Sequence, residues 1–175
     1  MPACGLIALA IWIEEGGHVC YCSERIGRGG TKFRMFKFRT MVDGERMPLD
    51  PEQIREWNAN FKITADPRVT RIGKWLRRYS LDEILQVWNV FRGEMAFVGP
   101  RPKLPEEIGL YGEEKEELLS VLPGITGYWQ LHRTSANSDA TMREMDLFYV
   151  RNRTAAMDCR IIVGTVRAVL GHSNS

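Results

Sequence analysis

The sequence predicts an α+β fold: one mostly helical domain with a small β-hairpin near its start and an apolar helix ahead of the hairpin. Three observations carry this. Ala3 to Ile13 is an uncharged, almost wholly apolar run. Two stretches rich in β-formers, His18 to Ser23 and Lys32 to Phe38, flank Gly27-Arg28-Gly29-Gly30, the pattern of two strands around a turn. Beyond Pro51 the apolar residues recur mostly at helical spacing. The 175 residues suffice for one domain with its own core, and 44% hydrophobic against 26% charged residues is a globular composition. No internal repeat or low-complexity tract divides the chain. One domain over 1–175 is expected, with an apolar helix over 1–15 and a core over 16–170.

Each element has its own reason. The eleven apolar residues to Ile13 fall well short of the roughly 20 that a membrane-spanning helix needs. No basic stretch precedes them and no A-x-A cleavage site follows, which argues against a signal peptide. Glu14-Glu15-Gly16-Gly17 ends that helix. On the second strand Phe33, Met35, Lys37 and Arg39 share one face and Arg34, Phe36 and Phe38 the other. Such a strand suits either the side of a bound anion or a solvated edge with snorkelling basic residues. Asp43 to Asp50 reads as a polar loop, Pro51 to Phe61 as a short helix started by proline, and Arg71 to Arg78 as a short basic helix. Ser80 then opens a helix carrying Leu81, Ile84, Leu85, Trp88 and Phe91. Gly99-Pro100-Arg101-Pro102 presents Arg101 from a stiff frame. Glu106 to Leu122 is helical with an acidic face, Pro123-Gly124-Ile125-Thr126-Gly127 is a second rigid turn, and Asp139 to Val150 and Met157 to Leu170 are helical. The last segment is amphipathic and suits a core or a membrane surface.

The formal net charge of +2 hides a segregated distribution. Between Ser23 and Arg46 seven Lys/Arg stand against three acids, and between Lys62 and Arg78 six stand against Asp66 alone. Segregated positive charge points to an anionic partner. No recognised nucleic-acid-binding motif accompanies it, which disfavours a nucleic-acid module. The four cysteines, Cys4, Cys20, Cys22 and Cys159, make no disulfide framework, and His18-x-Cys20-x-Cys22 lacks the second ligand cluster of a metal site.

Asp82 and Glu83 fall in the first turn of their helix, where the backbone N–H groups favour negative charge. Ser80-Leu81-Asp82-Glu83 also fits the S-x-x-E capping box. In that window alone, capping and chemistry compete for one side chain.

The order of motifs along the chain decides between them. Lys37-Phe38-Arg39-Thr40-Met41, then Ser80-Leu81-Asp82-Glu83 with Gln86, then Gly99-Pro100-Arg101-Pro102, then Pro123-Gly124-Ile125-Thr126-Gly127 closely resemble the bacterial sugar transferase family, the small monotopic polyprenol-phosphate phosphoglycosyl transferases. The similarity runs on through Asp146-Leu147-Phe148-Tyr149-Val150 and Asp158, covering about residues 2 to 170. The resemblance implies transfer of a sugar-1-phosphate from a UDP-sugar to undecaprenyl phosphate with release of UMP, at the cytoplasmic face of the bacterial inner membrane, as a first step of glycan assembly. It implies Mg²⁺ as cofactor, Asp82 as the nucleophile that forms a covalent phosphosugar intermediate, and Glu83 as its catalytic partner and metal ligand. Substrate-binding roles fall on Lys37, Arg39, Arg77, Arg101, Gln130 and Asp146. The expected partners are the UDP-sugar, undecaprenyl phosphate and a membrane surface, with a homodimer left open and no nucleic acid.

The chain departs from the family pattern in three places. The family's hydrophobic N-terminus runs about a further half-helix ahead of the proline matched by Pro2, which kinks a re-entrant membrane helix. The chain is therefore expected to be a truncated form that is either still anchored or soluble. Leu131-His132-Arg133 lacks the glycine usual after the matching glutamine. His18 and Ser23 stand where proline and glutamine are common. An inactive remnant that binds a membrane or a partner is the competing reading.

Overall fold

The computed structural model describes residues 2–42, 46–60, 63, 66–132 and 139–171. The start of the Asp43–Asp50 loop, the Phe61 end of its following helix, and Arg133 lie outside the described residues. Helix α1 (Pro2–Glu15) buries Ile11 against Phe38 and Leu76, with Cys4, Ile7 and Ala8 beside them, and leaves Leu6, Leu9, Trp12 and Ile13 exposed. Gly16 ends it in the left-handed region at φ 59, with its N–H donating to the Trp12 carbonyl at 2.8 Å. No described helix is long and apolar enough to cross a membrane.

Strands β1 (Cys20–Ile26) and β2 (Lys32–Phe38) pair antiparallel from Cys20↔Phe38 to Ile26↔Lys32. The first strand thus starts two residues later than the sequence predicts and runs three further. The reason is the turn: Gly29 and Gly30, at φ 66 and 78, close it tightly enough for Ile26 to face Lys32. The solvated-edge reading of β2 gives way as well. Phe33 and Met35 pack on Met95, Val90 and Ile125, while Phe38 feeds the α1 cluster. The open edge of β2 is covered by Asn89, whose amide donates to the Arg34 carbonyl at 2.7 Å and accepts from Phe36 N at 3.2 Å. That occupies backbone groups an edge strand would otherwise expose.

Helix α2 (Pro51–Asn60) precedes α3 (Arg71–Arg78). The N-terminus of α3 is capped twice. Thr70 Oγ1 accepts from Gly73 N at 2.9 Å, and the Glu14 carboxylate accepts from Arg71 N and Ile72 N at 2.9 and 3.0 Å, satisfying donors that a helix start leaves orphaned. After α3, Ser80 takes φ 53 and ψ 24. The single helix expected from Ser80 to Phe91 is instead a 3₁₀ segment, Leu81–Gln86, followed by α4 (Val87–Phe91). The tighter winding brings Leu81, Ile84 and Leu85 together onto the α1 cluster.

A second pairing escaped sequence reading. β3 (Ala96–Val98) and β4 (Gly124–Thr126) run parallel; strands of three residues are too short to show a period. They join the two rigid turns back to back: Gly99 N donates to the Thr126 carbonyl at 2.9 Å and Gly124 N to that of Pro100 at 2.8 Å. A Cβ on Gly124 would overlap Gly99 N, and one on Gly127 would overlap the Gly99 carbonyl. The helix expected over Glu106 to Leu122 is broken into α5 (Pro105–Ile108), a 3₁₀ stretch Gly109–Glu114 and α6 (Lys115–Leu118), because Gly112 sits at φ 52. α7 (Tyr128–Leu131), α8 (Asp139–Asn152) and α9 (Ala155–Leu170) complete the described elements. Ile108, Tyr111, Leu118, Leu119 and Leu147 form one core cluster, and Val98, Tyr149 and Ile161 another. The whole is α+β: mostly helical, with small strands.

Gly73 is where α3 meets β2's continuation, and a Cβ there would run into the Thr40 carbonyl oxygen. Backbone cannot retreat as a flexible side chain does. Gly73→Ala is expected to cost about 2–3 kcal/mol of stability, read as a lower urea midpoint with unchanged slope.

Candidate functional site

Three elements converge on Asp82. The 3₁₀ segment carries it, 8% exposed, with Glu83 beside it. β2 supplies Lys37, whose Nζ lies 2.6 Å from Glu83 Oε1. α3 supplies Arg77, whose Nε donates to Thr40 Oγ1 at 2.9 Å. Thr40 is buried, so this bond holds the guanidinium against a fixed post. The left-handed Ser80, the one non-glycine residue at positive φ among those described, turns the chain out of α3 and into the acidic pair. Strain of this kind costs of order 1–3 kcal/mol and persists where surrounding structure enforces it.

The capping box is not formed. Ser80 makes no side-chain cap, and the Glu83 carboxylate is taken by Lys37 instead. Asp82 has neither a hydrogen bond nor an ion pair to another side chain among the described residues. Burial pushes its pKa above the usual carboxylate range and the Glu83 charge adds to this; Lys37 and Arg77 pull the other way without cancelling it. The site is thus a desolvated carboxylate with cations near it and none bonded to it. Arg68 grips Asp66 with Nε and Nη2 at 2.9 and 2.6 Å and holds its pKa below the ordinary value.

The remaining predicted residues are placed elsewhere. Arg39 follows β2, half-buried, with its N–H on the Val19 carbonyl at 2.8 Å. Arg101 stands near Arg25 and Glu107. Arg25 lies four residues along β1 from Tyr21, the partner of Lys37, a separation of about 13 Å at strand rise. Gln130 lies against the second rigid turn, with Nε2 donating to the Ile125 carbonyl at 3.4 Å and its buried Oε1 lacking a hydrogen-bond partner. Asp146 is 1% exposed, with Oδ2 taken by Lys103 Nζ at 2.9 Å and the Tyr111 hydroxyl at 3.0 Å. The structure therefore gathers Lys37, Arg77, Asp82 and Glu83, while Arg101, Gln130 and Asp146 make their own contacts with other residues. Sequence reading missed Thr40, Arg25, Lys103 and Glu107. Thr40 sat inside a quoted motif; for the others only proximity in the fold could have told.

No group of three His, Cys, Asp or Glu able to hold a metal occurs among the described residues, and Cys22 Sγ accepts from Arg34 Nε at 3.1 Å. A hard cation that takes one or two carboxylates together with substrate phosphates still fits the Asp82–Glu83 pair. Such a cation would offset the Glu83 repulsion that adds to burial in raising Asp82.

The chain is similar to known proteins along nearly its whole length. The family model described as Bacterial sugar transferase matches residues 1–172. A UDP-galactose-lipid carrier transferase of Erwinia amylovora is 41% identical over 97% of this chain and 37% of its own length. The exopolysaccharide production protein ExoY of Rhizobium meliloti is 39% identical over 94% of this chain and 75% of its own. An undecaprenyl-phosphate galactose phosphotransferase of Salmonella typhimurium is 37% identical over 94% and 36%. The chain thus spans a little over a third of the first and third of these relatives.

The raised Asp82 pKa makes a stability prediction. The native state holds this proton more tightly than the unfolded chain does, so stability falls as pH rises from the ordinary carboxylate range through the raised value. The penalty grows with pH across that interval. Asp82→Asn removes it and is expected to raise the melting temperature by a few degrees at about pH 7.5, the gain shrinking toward about pH 4. A melting temperature unchanged or lowered at neutral pH would contradict this account of the site.

Proposed function

The chain belongs to the bacterial sugar transferase family, and from that membership we propose that it transfers a sugar-1-phosphate from a UDP-sugar to undecaprenyl phosphate and releases UMP. The observation that carries this reading is the buried Asp82 carboxylate, unbonded to any described side chain and flanked by Lys37 and Arg77. A carboxylate left unpaired in low dielectric is a poor structural element and a competent nucleophile. Relatives named undecaprenyl-phosphate galactose and glucose phosphotransferases support the acceptor.

In the first half-reaction an Asp82 oxygen attacks the β-phosphorus of the UDP-sugar. The bond from that phosphorus to the bridging oxygen breaks, and UMP leaves with the electron pair. In the second, a phosphate oxygen of undecaprenyl phosphate attacks the same phosphorus and Asp82 departs as a carboxylate. Lys37 and Arg77 bind and orient the phosphoryl oxygens, Lys37 as a point charge and Arg77 as a fork set by Thr40. Glu83 would hold Mg²⁺, which would supply neutralisation of the charge developing on the phosphoryl oxygens. The exposed face of α1, seated as a re-entrant helix, and Ile162, Val163, Val166 and Leu170 of α9 provide apolar surface for the cytoplasmic face of the membrane.

Incubation with undecaprenyl phosphate, Mg²⁺ and a panel of UDP-sugars is expected to release UMP with at least one donor, and none released from any would overturn the reading. Asp82→Asn should lower turnover by about 10³-fold or more and abolish a phosphosugar adduct that mass spectrometry finds on the native chain. Since Asp82 must be ionised to attack, kcat/KM for the donor should fall on acidification with an apparent pKa above the usual carboxylate range. Lys37→Met removes a charge that holds that value down, so the acid limb should move to higher pH; a shift to lower pH would exclude this electrostatic role.

A further inference from the structure

We propose that Arg25 and Glu107 are positioning residues for Arg101, holding its guanidinium as an anion-binding fork for the diphosphate of the nucleotide donor. This rests on the donor class proposed above and adds how the site's outlying arginine is aimed. The backbone of Arg101 is fixed on both sides: the Pro100 carbonyl accepts from Gly124 N at 2.8 Å, and the Pro102 carbonyl accepts from Arg25 Nη1 at 3.4 Å. Its side chain is steered by one carboxylate. Glu107 is buried, and its Oε2 is fixed by Leu104 N at 2.6 Å. From that anchored group Arg25 Nη1 lies 3.7 Å and Arg101 Nη1 4.0 Å away.

Both separations are ion-pair rather than hydrogen-bond distances. Arg101 makes no hydrogen bond among the described residues, and its side chain is 34% exposed. Its donors are therefore aimed but unspent, and guanidinium donors match phosphate oxygens two at a time. The charge count agrees. Two guanidiniums share one buried carboxylate, with exposed Glu106 adding a weaker attraction, and Lys103 is already committed to Asp146. Burial and the neighbouring Arg101 hold the Arg25 pKa below its ordinary value, the signature of a place where positive charge exceeds its compensation. A bound anion corrects that excess.

The test is a double-mutant cycle on the full chain. Glu107→Gln keeps an acceptor for Leu104 N while removing the charge, and Arg25→Lys keeps the charge while losing the fork. Each is expected to raise KM for the UDP-sugar about tenfold with kcat within about threefold. In an Arg101→Ala background neither should cost anything more. Equal losses in both backgrounds, or no loss in either, would overturn the positioning role. A tryptophan-fluorescence titration with UDP, which carries the diphosphate, repeats the cycle on binding alone. Absence of turnover with preserved, non-additive UDP binding fails the reaction and not the positioning. Turnover with additive losses fails the positioning alone. If Glu107→Gln does not fold, the Arg25→Lys arm carries the same comparison.

Discussion

Removing a carboxylate from water beside a second carboxylate is costly, and most of what surrounds Asp82 is arranged around that cost. A paired Asp would be cheaper, yet Lys37, a candidate partner, is bonded to Glu83. Arg77 is held off by Thr40. Both cations therefore act on Asp82 through space, softening its desolvation without quenching its charge. That condition requires β2, α3 and the 3₁₀ segment to be mutually fixed within a hydrogen-bond length. The close approach of Gly73 to Thr40 and the double cap on α3 provide the fixing. A rigid scaffold around an electrostatically unsatisfied group is the usual form of a site where stability is traded for reactivity.

The apolar helix α1 belongs to the same construction. Its buried residues share a cluster with Leu81, Ile84 and Leu85, which lie on the segment that carries Asp82 and Glu83. At its far end Glu14 caps α3, which carries Arg77. A rotation of α1 would disturb the backing of the dyad and the start of α3 together. The exposed side of this helix, where Leu6, Leu9, Trp12 and Ile13 face outward, thus stands one layer from the chemistry.

How much of this was legible depended on how local each signal was. Arg71–Arg78 was read to the residue, because the residue pattern that marks a short helix is a local property. The acidic pair was visible too, but its environment was not: S-x-x-E suggested a capping box, and only the left-handed Ser80 and the reach of Lys37 across the chain show why none forms. The β3–β4 pairing was invisible, since its strands are three residues long and its partners lie 28 apart in the register Ala96↔Gly124. The helix over Glu106 to Leu122 was misread at Gly112, where one glycine can either continue a helix or end it. Long-range contacts, not propensities, made these choices.

The ion pairs show the same logic by their degree of saturation. Arg151 with Glu114 and Glu117 is exposed and multiply bonded, a surface cluster whose members are solvated in any case. Lys103 with Asp146 is buried, and the Tyr111 hydroxyl takes part of the remaining capacity of the carboxylate; breaking it would strand a charge in the core. Such a pair is too closed to exchange partners with a ligand. Lys37 with Glu83, at 26% and 31% side-chain exposure, lies between these limits. It is sheltered enough for its field to matter and open enough to part. In a pair of that kind an incoming phosphate can replace the carboxylate on the lysine, and a cation can replace the lysine on the carboxylate. The substrate's charges then substitute for the resting contacts, and the desolvation already borne by Asp82 need not be met again when the donor binds.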